Sequence, residues 1–226
     1  MRIQEFTSIG NRAENQDFIA YRLIGDEAGI FVVADGMGGY ENGAVAAKVV
    51  AEAIVESVSS NWTRLRPERL LRESAEYANE SLALKKLALD SKKMGCCICS
   101  VLIQEGIAFL TWFGDCRIYI YRNGIECYRT RDHSVAMELA DINSLKASDL
   151  VKYEHIVTRA IMGSGMLDPM EIKKVKVQEG DSFLLCTDGL HKSISLPLRI
   201  PLNLIDMLYA EANSYTDNAT CFLIEF

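Results

Sequence analysis

The 226-residue sequence has few of the features that mark secreted, membrane-bound or modular proteins. It contains four prolines and no linker, repeat or low-complexity segment, so we expect one domain over residues 1–226. No run approaches the roughly 18 apolar residues of a membrane span. The N-terminal residues lack the apolar stretch of a secretion signal. We therefore expect a cytoplasmic protein without membrane association, and we expect it to be a monomer.

Positive charge is also scarce. The chain has 24 Lys and Arg residues against 31 Asp and Glu, a formal net charge of −7. Nucleic-acid binding needs a basic surface that displaces counterions, so we expect no nucleic-acid partner. An acidic chain can still act on phosphate esters, because clustered carboxylates bind divalent cations that attract an anionic substrate.

The seven cysteines indicate reduced thiols in a cytosolic protein. Most of them lie in apolar, strand-like runs. Cys96 and Cys99 form a C-x-x-C pair, but a zinc site needs a second ligand pair and none follows with usable spacing. We therefore predict that these cysteines belong to the buried core.

The order of apolar segments predicts an α+β fold. Two long helices are expected first, and a block of strands follows. Because helices and strands do not alternate regularly, this order favours two antiparallel sheets packed face to face with helix pairs outside. Strands are predicted at 30–34, 96–104, 107–113, 116–122, 125–130, 172–177, 183–187 and 219–226, and helices at 43–59, 67–89 and 202–212.

Five aspartates stand near the ends of predicted strands or next to glycine, namely Asp17, Asp35, Asp115, Asp188 and Asp217. Carboxylate oxygens are the ligands that Mg²⁺ and Mn²⁺ prefer, and a neighbouring glycine lets backbone and cation approach closely. A single Asp-Gly pair is more often a turn. Spacing and composition alone leave a metal site and a set of turns as open alternatives.

Seven segments, in order along the chain, resemble motifs of the metal-dependent Ser/Thr protein phosphatases of the type 2C family in its compact bacterial form. They are GNRAENQD at 10–17, VADGMGG at 33–39, FGDCRIY at 113–119, RDHS at 131–134, TRA at 158–160, LCTDGL at 185–190 and DNAT at 217–220. The resemblance covers nearly the whole chain. It implies a central antiparallel β-sandwich flanked by helix pairs, in four α-β-β-α layers, with metals at one end.

The resemblance also implies an activity. Such an enzyme hydrolyses phosphomonoesters on Ser/Thr phosphoproteins with a metal-activated water, and an opposing Ser/Thr kinase would supply the substrate. Two core Mg²⁺ or Mn²⁺ ions are implied, and a third is allowed. Asp35 would bridge the two core ions, helped at one by the carbonyl of Gly36. Asp188 and Asp217 would complete the coordination shell of the other ion. Asp17 would act next to the metals, as a ligand or through a metal-bound water.

The remaining roles concern the third ion and the substrate. Asp115 resembles the residue that, together with Asp188, holds the third cation, and Arg12 resembles the arginine that grips the substrate phosphate. The expected catalytic residues are thus Arg12, Asp35 and Asp188. Tyr40 and Met37 stand where relatives place histidines, so we expect the leaving group to take its proton from a metal-bound water.

Two classes of function stay open at this point. The first is an active phosphatase, with a short flap-like segment at about 134–157 that bears on substrate choice. The second is a catalytically weak relative that binds phosphoproteins as a regulatory module. The sequence favours the enzyme, because every core carboxylate of the motifs is present.

Overall fold

Two five-stranded antiparallel sheets form the centre of the protein in a computed structural model, which describes residues 1–37, 42–142, 147–194, 196 and 198–226. The strands are β1 Arg2–Ser8, β2 Asp17–Leu23, β3 Gly29–Gly36, β4 Cys96–Gln104, β5 Ile107–Phe113, β6 Arg117–Arg122, β7 Ile125–Arg129, β8 Lys173–Lys176, β9 Asp181–Cys186 and β10 Ala219–Glu225. One sheet has the order β1-β10-β9-β6-β7 and the other β2-β3-β4-β5-β8.

The helices lie outside the sheets. They are α1 Gly43–Asn61, α2 Pro67–Ala88, α3 Val135–Asp141, α4 Ala147–Leu150, α5 Asp188–Ser193 and α6 Leu204–Ala210, with 3-10 turns at Val151–Tyr153 and Ala212–Ser214. Pro67 opens α2, where its missing N–H is not needed. No helix in the described part of the chain is both long and apolar enough to cross a membrane.

Three apolar layers hold the sandwich together. The first joins α1 and α2 to the β2-β3-β4-β5-β8 sheet, the second fills the space between the sheets, and the third lies under α5 and α6. β3 shows how one strand serves two layers: Ile30 and Val32 face the helices, whereas Phe31 and Val33 face the other sheet. The predicted α+β sandwich is confirmed.

Two strands were missing from the sequence prediction. β1 pairs with β10 along its whole length, from Arg2–Glu225 to Ser8–Ala219, and β2 pairs with β3. Both lie at sheet edges and expose several side chains, so their apolar pattern is weak. The predicted final helix is shorter than expected: α6 ends at Ala210, and a 3-10 turn follows.

The cysteines behave as predicted. All seven are unpaired, and all but Cys127 are buried. Cys96 and Cys99 lie in β4 and face opposite apolar layers, so they are core residues and form no metal site together.

A close approach at Gly189 fixes the distance between α5 and the start of β10. A Cβ on Gly189 would overlap the carbonyl oxygen of Asn218 and lie 3.2 Å from the Cβ of Asp217. Only glycine therefore lets the chain segments that carry Asp188 and Asp217 lie side by side.

We predict that Gly189→Ala lowers stability by about 1–3 kcal/mol, the usual range for overpacking, and weakens Mn²⁺ binding. Urea denaturation and a Mn²⁺ titration measure the two effects. Gly106→Ala is the control, because Gly106 has a φ of +70° but open space around it. Gly106→Ala should lose stability but keep its affinity for Mn²⁺. If Gly189→Ala and Gly106→Ala bind Mn²⁺ equally well, Gly189 is not needed to hold Asp188 and Asp217 side by side.

Candidate metal centre

A cleft of about 380 Å³ opens at one end of the sandwich and collects most of the predicted site residues. Its wall includes Arg12, Asp35, Gly36, Asp115, Asp188 and Asp217. These residues come from the loop before β2, the end of β3, the β5–β6 loop, the start of α5 and the segment before β10. The cleft therefore lies where both sheets end.

Asp17 and Asp35 are brought together by strand pairing, since they are direct partners in the β2–β3 register. Asp17 is buried and links the two sheets: its Oδ2 accepts a 2.9 Å hydrogen bond from Thr187 Oγ1, at the end of β9. Its Oδ1 is buried without a hydrogen-bond partner among the described residues. A buried carboxylate oxygen without a donor is costly unless a cation or water satisfies it.

The carboxylates raise one another's pKa values. Burial, reinforced by the charges of Asp188 and Asp217, raises the pKa of Asp17 to about 7, although hydrogen bonds oppose the shift. Burial and the charges of Asp17, Asp188 and Asp115 raise the pKa of Asp35 well above its ordinary value. So much negative charge in one place calls for compensating positive charge.

Two basic side chains supply part of that compensation. Lys192 Nζ lies 2.7 Å from Asp188 Oδ2 and 3.1 Å from Asp115 Oδ2. Burial acts to raise the pKa of Asp188, but the Lys192 ammonium outweighs it and holds that pKa below the ordinary value. Arg12 Nη2 lies 2.7 Å from Asp217 Oδ2, and both side chains are substantially exposed.

The loop that carries Asp115 is fixed by two histidines. His191 Nε2 donates to the carbonyl oxygen of Asp115 at 2.9 Å, and His133 Nδ1 accepts from the N–H of Gly114 at 3.3 Å. His133 also stacks on Trp112, with ring centroids 5.7 Å apart. Both histidines therefore have structural roles, and His191 is half-buried.

Asn218 ties the Arg12 segment to the rest of the site. Its Oδ1 accepts from the N–H of Gln16 at 2.9 Å, and its Nδ2 donates to the carbonyl oxygens of Ile9 and Glu14 at 2.8 and 3.0 Å. The loop before β2 is thereby fixed next to Asp217. The DNAT segment thus contributes a loop anchor as well as a carboxylate.

The oxygen donors of the site are of the kind that divalent cations prefer, but the carboxylates do not yet converge on one point. Within the described ranges, no three His, Cys, Asp or Glu side chains surround a single point. Lys192 links Asp115 to Asp188, and Arg12 pairs with Asp217. The unpartnered Asp17 Oδ1 and the all-oxygen donor set are what hard cations such as Mg²⁺ and Mn²⁺ require.

Sequence reasoning missed several residues at the site. Thr187 positions Asp17, and Lys192 bridges Asp188 and Asp115. The contacts with Asp17 and Asp115 join residues distant in sequence, so spacing alone gives no signal for them. His155 and Val157, in the segment predicted as a flap, line the cleft. Tyr40, which departs from the family motif, lies outside the described residues, whereas Met37 lines the cleft.

The two-sheet sandwich with an acidic, oxygen-rich cleft at its end has the architecture and the kind of site that the motifs predict for a metal-dependent phosphatase. The family model described as "Protein phosphatase 2C" matches residues 7–218. The chain therefore belongs to the protein phosphatase 2C family, the metal-dependent Ser/Thr phosphatases.

Individual relatives agree with this assignment. The chain is 27% identical over 216 residues to the serine/threonine phosphatase stp of Listeria monocytogenes, covering 88% of this chain and 85% of that protein. The S. agalactiae serine/threonine phosphatase structure is 27% identical with a TM-score of 0.81, covering 99% and 98% of the two chains. The catalytic domain of the phosphatase PstP, solved with two manganese ions, shares the fold at 24% identity, with a TM-score of 0.78 and coverage of 98% and 96%.

The Thr187 hydroxyl yields a prediction about metal binding. It donates to Asp17 and accepts the N–H of Thr220 at 3.0 Å, and the residue is completely buried. Thr187→Val leaves the N–H of Thr220 unpaired, which costs about 1–3 kcal/mol of unfolding free energy, and lets the Asp17 carboxylate turn. We expect weaker Mn²⁺ binding and a lower denaturation midpoint.

Thr187→Ser is the matched control, because it keeps the hydroxyl. Calorimetric titration with Mn²⁺ and urea denaturation compare the variants. If Thr187→Val and Thr187→Ser bind Mn²⁺ equally well, the hydroxyl does not position Asp17.

Proposed function

We propose that this chain is an active protein Ser/Thr phosphatase that works with two divalent ions, Mg²⁺ or Mn²⁺, in the cleft at the end of the sandwich. One observation carries the proposal: four aspartates line this cleft, and the buried Asp17, paired with Asp35 across two strands, has one carboxylate oxygen with no partner in the described structure. The unmet negative charge is what two cations would balance.

Four of the aspartates have a proposed place at the two ions. Asp35 would serve both ions, with the carbonyl of Gly36 at one of them, and Asp188 and Asp217 would hold the other. Asp17 would act next to the metals, as a ligand or through a metal-bound water. When bound, such ions lower the pKa of a water and offset charge on the phosphoryl oxygens. The protein contributes fixed ligand positions, because strand pairing and the Thr187 hydrogen bond set Asp17 and Asp35 before any ion binds.

Arg12 is the proposed phosphate-binding residue. It is exposed at the cleft wall, and its partner Asp217 is itself a proposed ligand. Exposed ion pairs contribute little stability, so the guanidinium can leave Asp217 for a phosphate at small cost. Its paired N–H donors match two phosphoryl oxygens, which supports a role in both binding and orienting the ester.

The setting of the enzyme is also proposed. Residues 1–226 would form one catalytic domain, with the segment at about 134–157 as a flap, since His155 and Val157 line the cleft. Unpaired thiols support a cytoplasmic location. The protein would act as a monomer in signalling, without binding membranes or nucleic acid, and would remove phosphate that an opposing Ser/Thr kinase adds.

Hydrolysis of an aryl phosphate tests the activity directly. We predict Mn²⁺-dependent turnover, and we expect Asp35→Asn to lower kcat by at least about 10²-fold, the scale of losing one preorganised electrostatic group. Asp206→Asn, on the exposed face of α6, is the matched control and should leave turnover unchanged.

The same assay discriminates the two classes of function. A phosphoprotein-binding module would bind a phosphopeptide yet show no turnover with either ion. Wild-type turnover in Asp35→Asn would place the chemistry elsewhere.

Arg12 gives a second prediction, on substrate binding. Arg12→Ala removes charge-assisted hydrogen bonds, which contribute about 1.5–3 kcal/mol each, so we expect KM for the aryl phosphate to rise about tenfold or more. Inhibition by inorganic phosphate should weaken in parallel, while Mn²⁺ affinity stays within about twofold because the Arg12–Asp217 pair is exposed.

Arg12→Lys should recover only part of this loss, since an ammonium cannot bind two oxygens in a fork. Arg64→Ala, at an exposed arginine between α1 and α2, is the control. Unchanged KM and phosphate inhibition in Arg12→Ala would leave phosphate recognition to the cations.

A further inference from the structure

Lys192 occupies the place that the family resemblance allows for a third cation. Asp115 and Asp188 are the two carboxylates that the family resemblance assigns to that ion. The Lys192 ammonium lies between them, 3.1 Å from one Oδ2 and 2.7 Å from the other. Two carboxylates that converge on one ammonium have their charge partly offset before any metal arrives.

This arrangement is more than a surface ion pair. The contact with Asp188 is a local i,i+4 pair on α5, which alone contributes little. The contact with Asp115, however, joins residues 77 apart in sequence, and the Asp115 side chain is only 7% exposed. His191 and His133 fix the loop around Asp115, so its carboxylate cannot easily turn to solvent. Removing Lys192 would leave a buried charge without its partner.

The Lys192 ammonium and a third metal ion would compete for the same space between Asp115 and Asp188. Mg²⁺ binds carboxylate oxygens at about 2.0–2.1 Å and needs near-octahedral surroundings. An ion held by Asp115 and Asp188 together would lie in the space that Nζ now fills, because both Oδ2 atoms already point at Nζ. A divalent ion there must expel Lys192 and overcome its repulsion.

We propose that Lys192 is a built-in cation that takes the place of the third metal ion, so that this chain binds two divalent ions where three carboxylate-bound ions are otherwise expected. The inference rests on the proposed two-ion phosphatase. Lys192 then acts as a positioning residue: it holds Asp188 beside Asp35 and ties α5 to the β5–β6 loop. Metal binding should consequently be complete with two ions, and no third, weaker ion should bind at high metal concentration.

Counting bound Mn²⁺ tests the proposal without relying on turnover. Electron paramagnetic resonance measures free Mn²⁺ during titration of the wild type, Lys192→Met and Lys192→Arg. We expect two ions per chain in the wild type and in Lys192→Arg. Lys192→Met keeps the length of the side chain but removes its charge, and should gain one additional, weaker ion. Adding Asp115→Ala to Lys192→Met should return the count to two.

Lys48→Met is the matched control. Lys48 forms an exposed i,i+4 pair with Glu52 on α1, away from the cleft, so its replacement should leave the count at two. Circular dichroism and thermal denaturation establish that each variant is folded. If Lys192→Met does not fold, the number of Mn²⁺ ions bound by the wild type and by Lys192→Arg still tests the proposal.

The outcomes separate this inference from the proposed function. Three ions in the wild type, or two in folded Lys192→Met, would overturn the role of Lys192 while leaving the phosphatase intact. A wild type that binds no Mn²⁺ and hydrolyses no aryl phosphate would overturn the proposed function itself.

Discussion

Repulsion among carboxylates at one end of the β-sandwich is the constraint on which the site depends. Asp35, Asp115, Asp188 and Asp217 come from chain segments far apart in sequence and line one cleft, and strand pairing places Asp17 beside Asp35. Burial and mutual charge raise the pKa values of Asp17 and Asp35. The fold must therefore be stable enough to hold like charges together, and three apolar layers provide that stability.

The protein manages this charge in two different ways. Thr187 and strand pairing fix Asp17 and Asp35, leaving one buried oxygen free for an ion. Basic side chains neutralise the rest: Lys192 between Asp115 and Asp188, and Arg12 at Asp217. The proposed metal-binding and metal-excluding parts of the site thus lie side by side: the first has an open oxygen and the second is paired with an ammonium.

Much of this could be predicted from the sequence. Strands β3, β4 and β10 are buried on both faces and read as continuous apolar runs, and the carboxylates follow strand ends within recognisable motifs. β1 and β2 were missed because edge strands expose polar side chains and lose the alternating pattern. Lys192 and Thr187 were missed for another reason: their contacts with Asp115 and Asp17 join residues 77 and 170 positions apart, and only the folded chain brings them together.

Exposure explains why the two basic residues have different roles. Half of the Arg12 side chain is exposed, and its partner Asp217 is 38% exposed, so water screens the pair and the guanidinium is free to exchange partners. Lys192 is held by one partly buried and one almost fully buried carboxylate, and its release would strand charge inside the protein. The same kind of contact therefore suits two different proposed roles, phosphate binding by the exposed Arg12 and a fixed cation at Lys192.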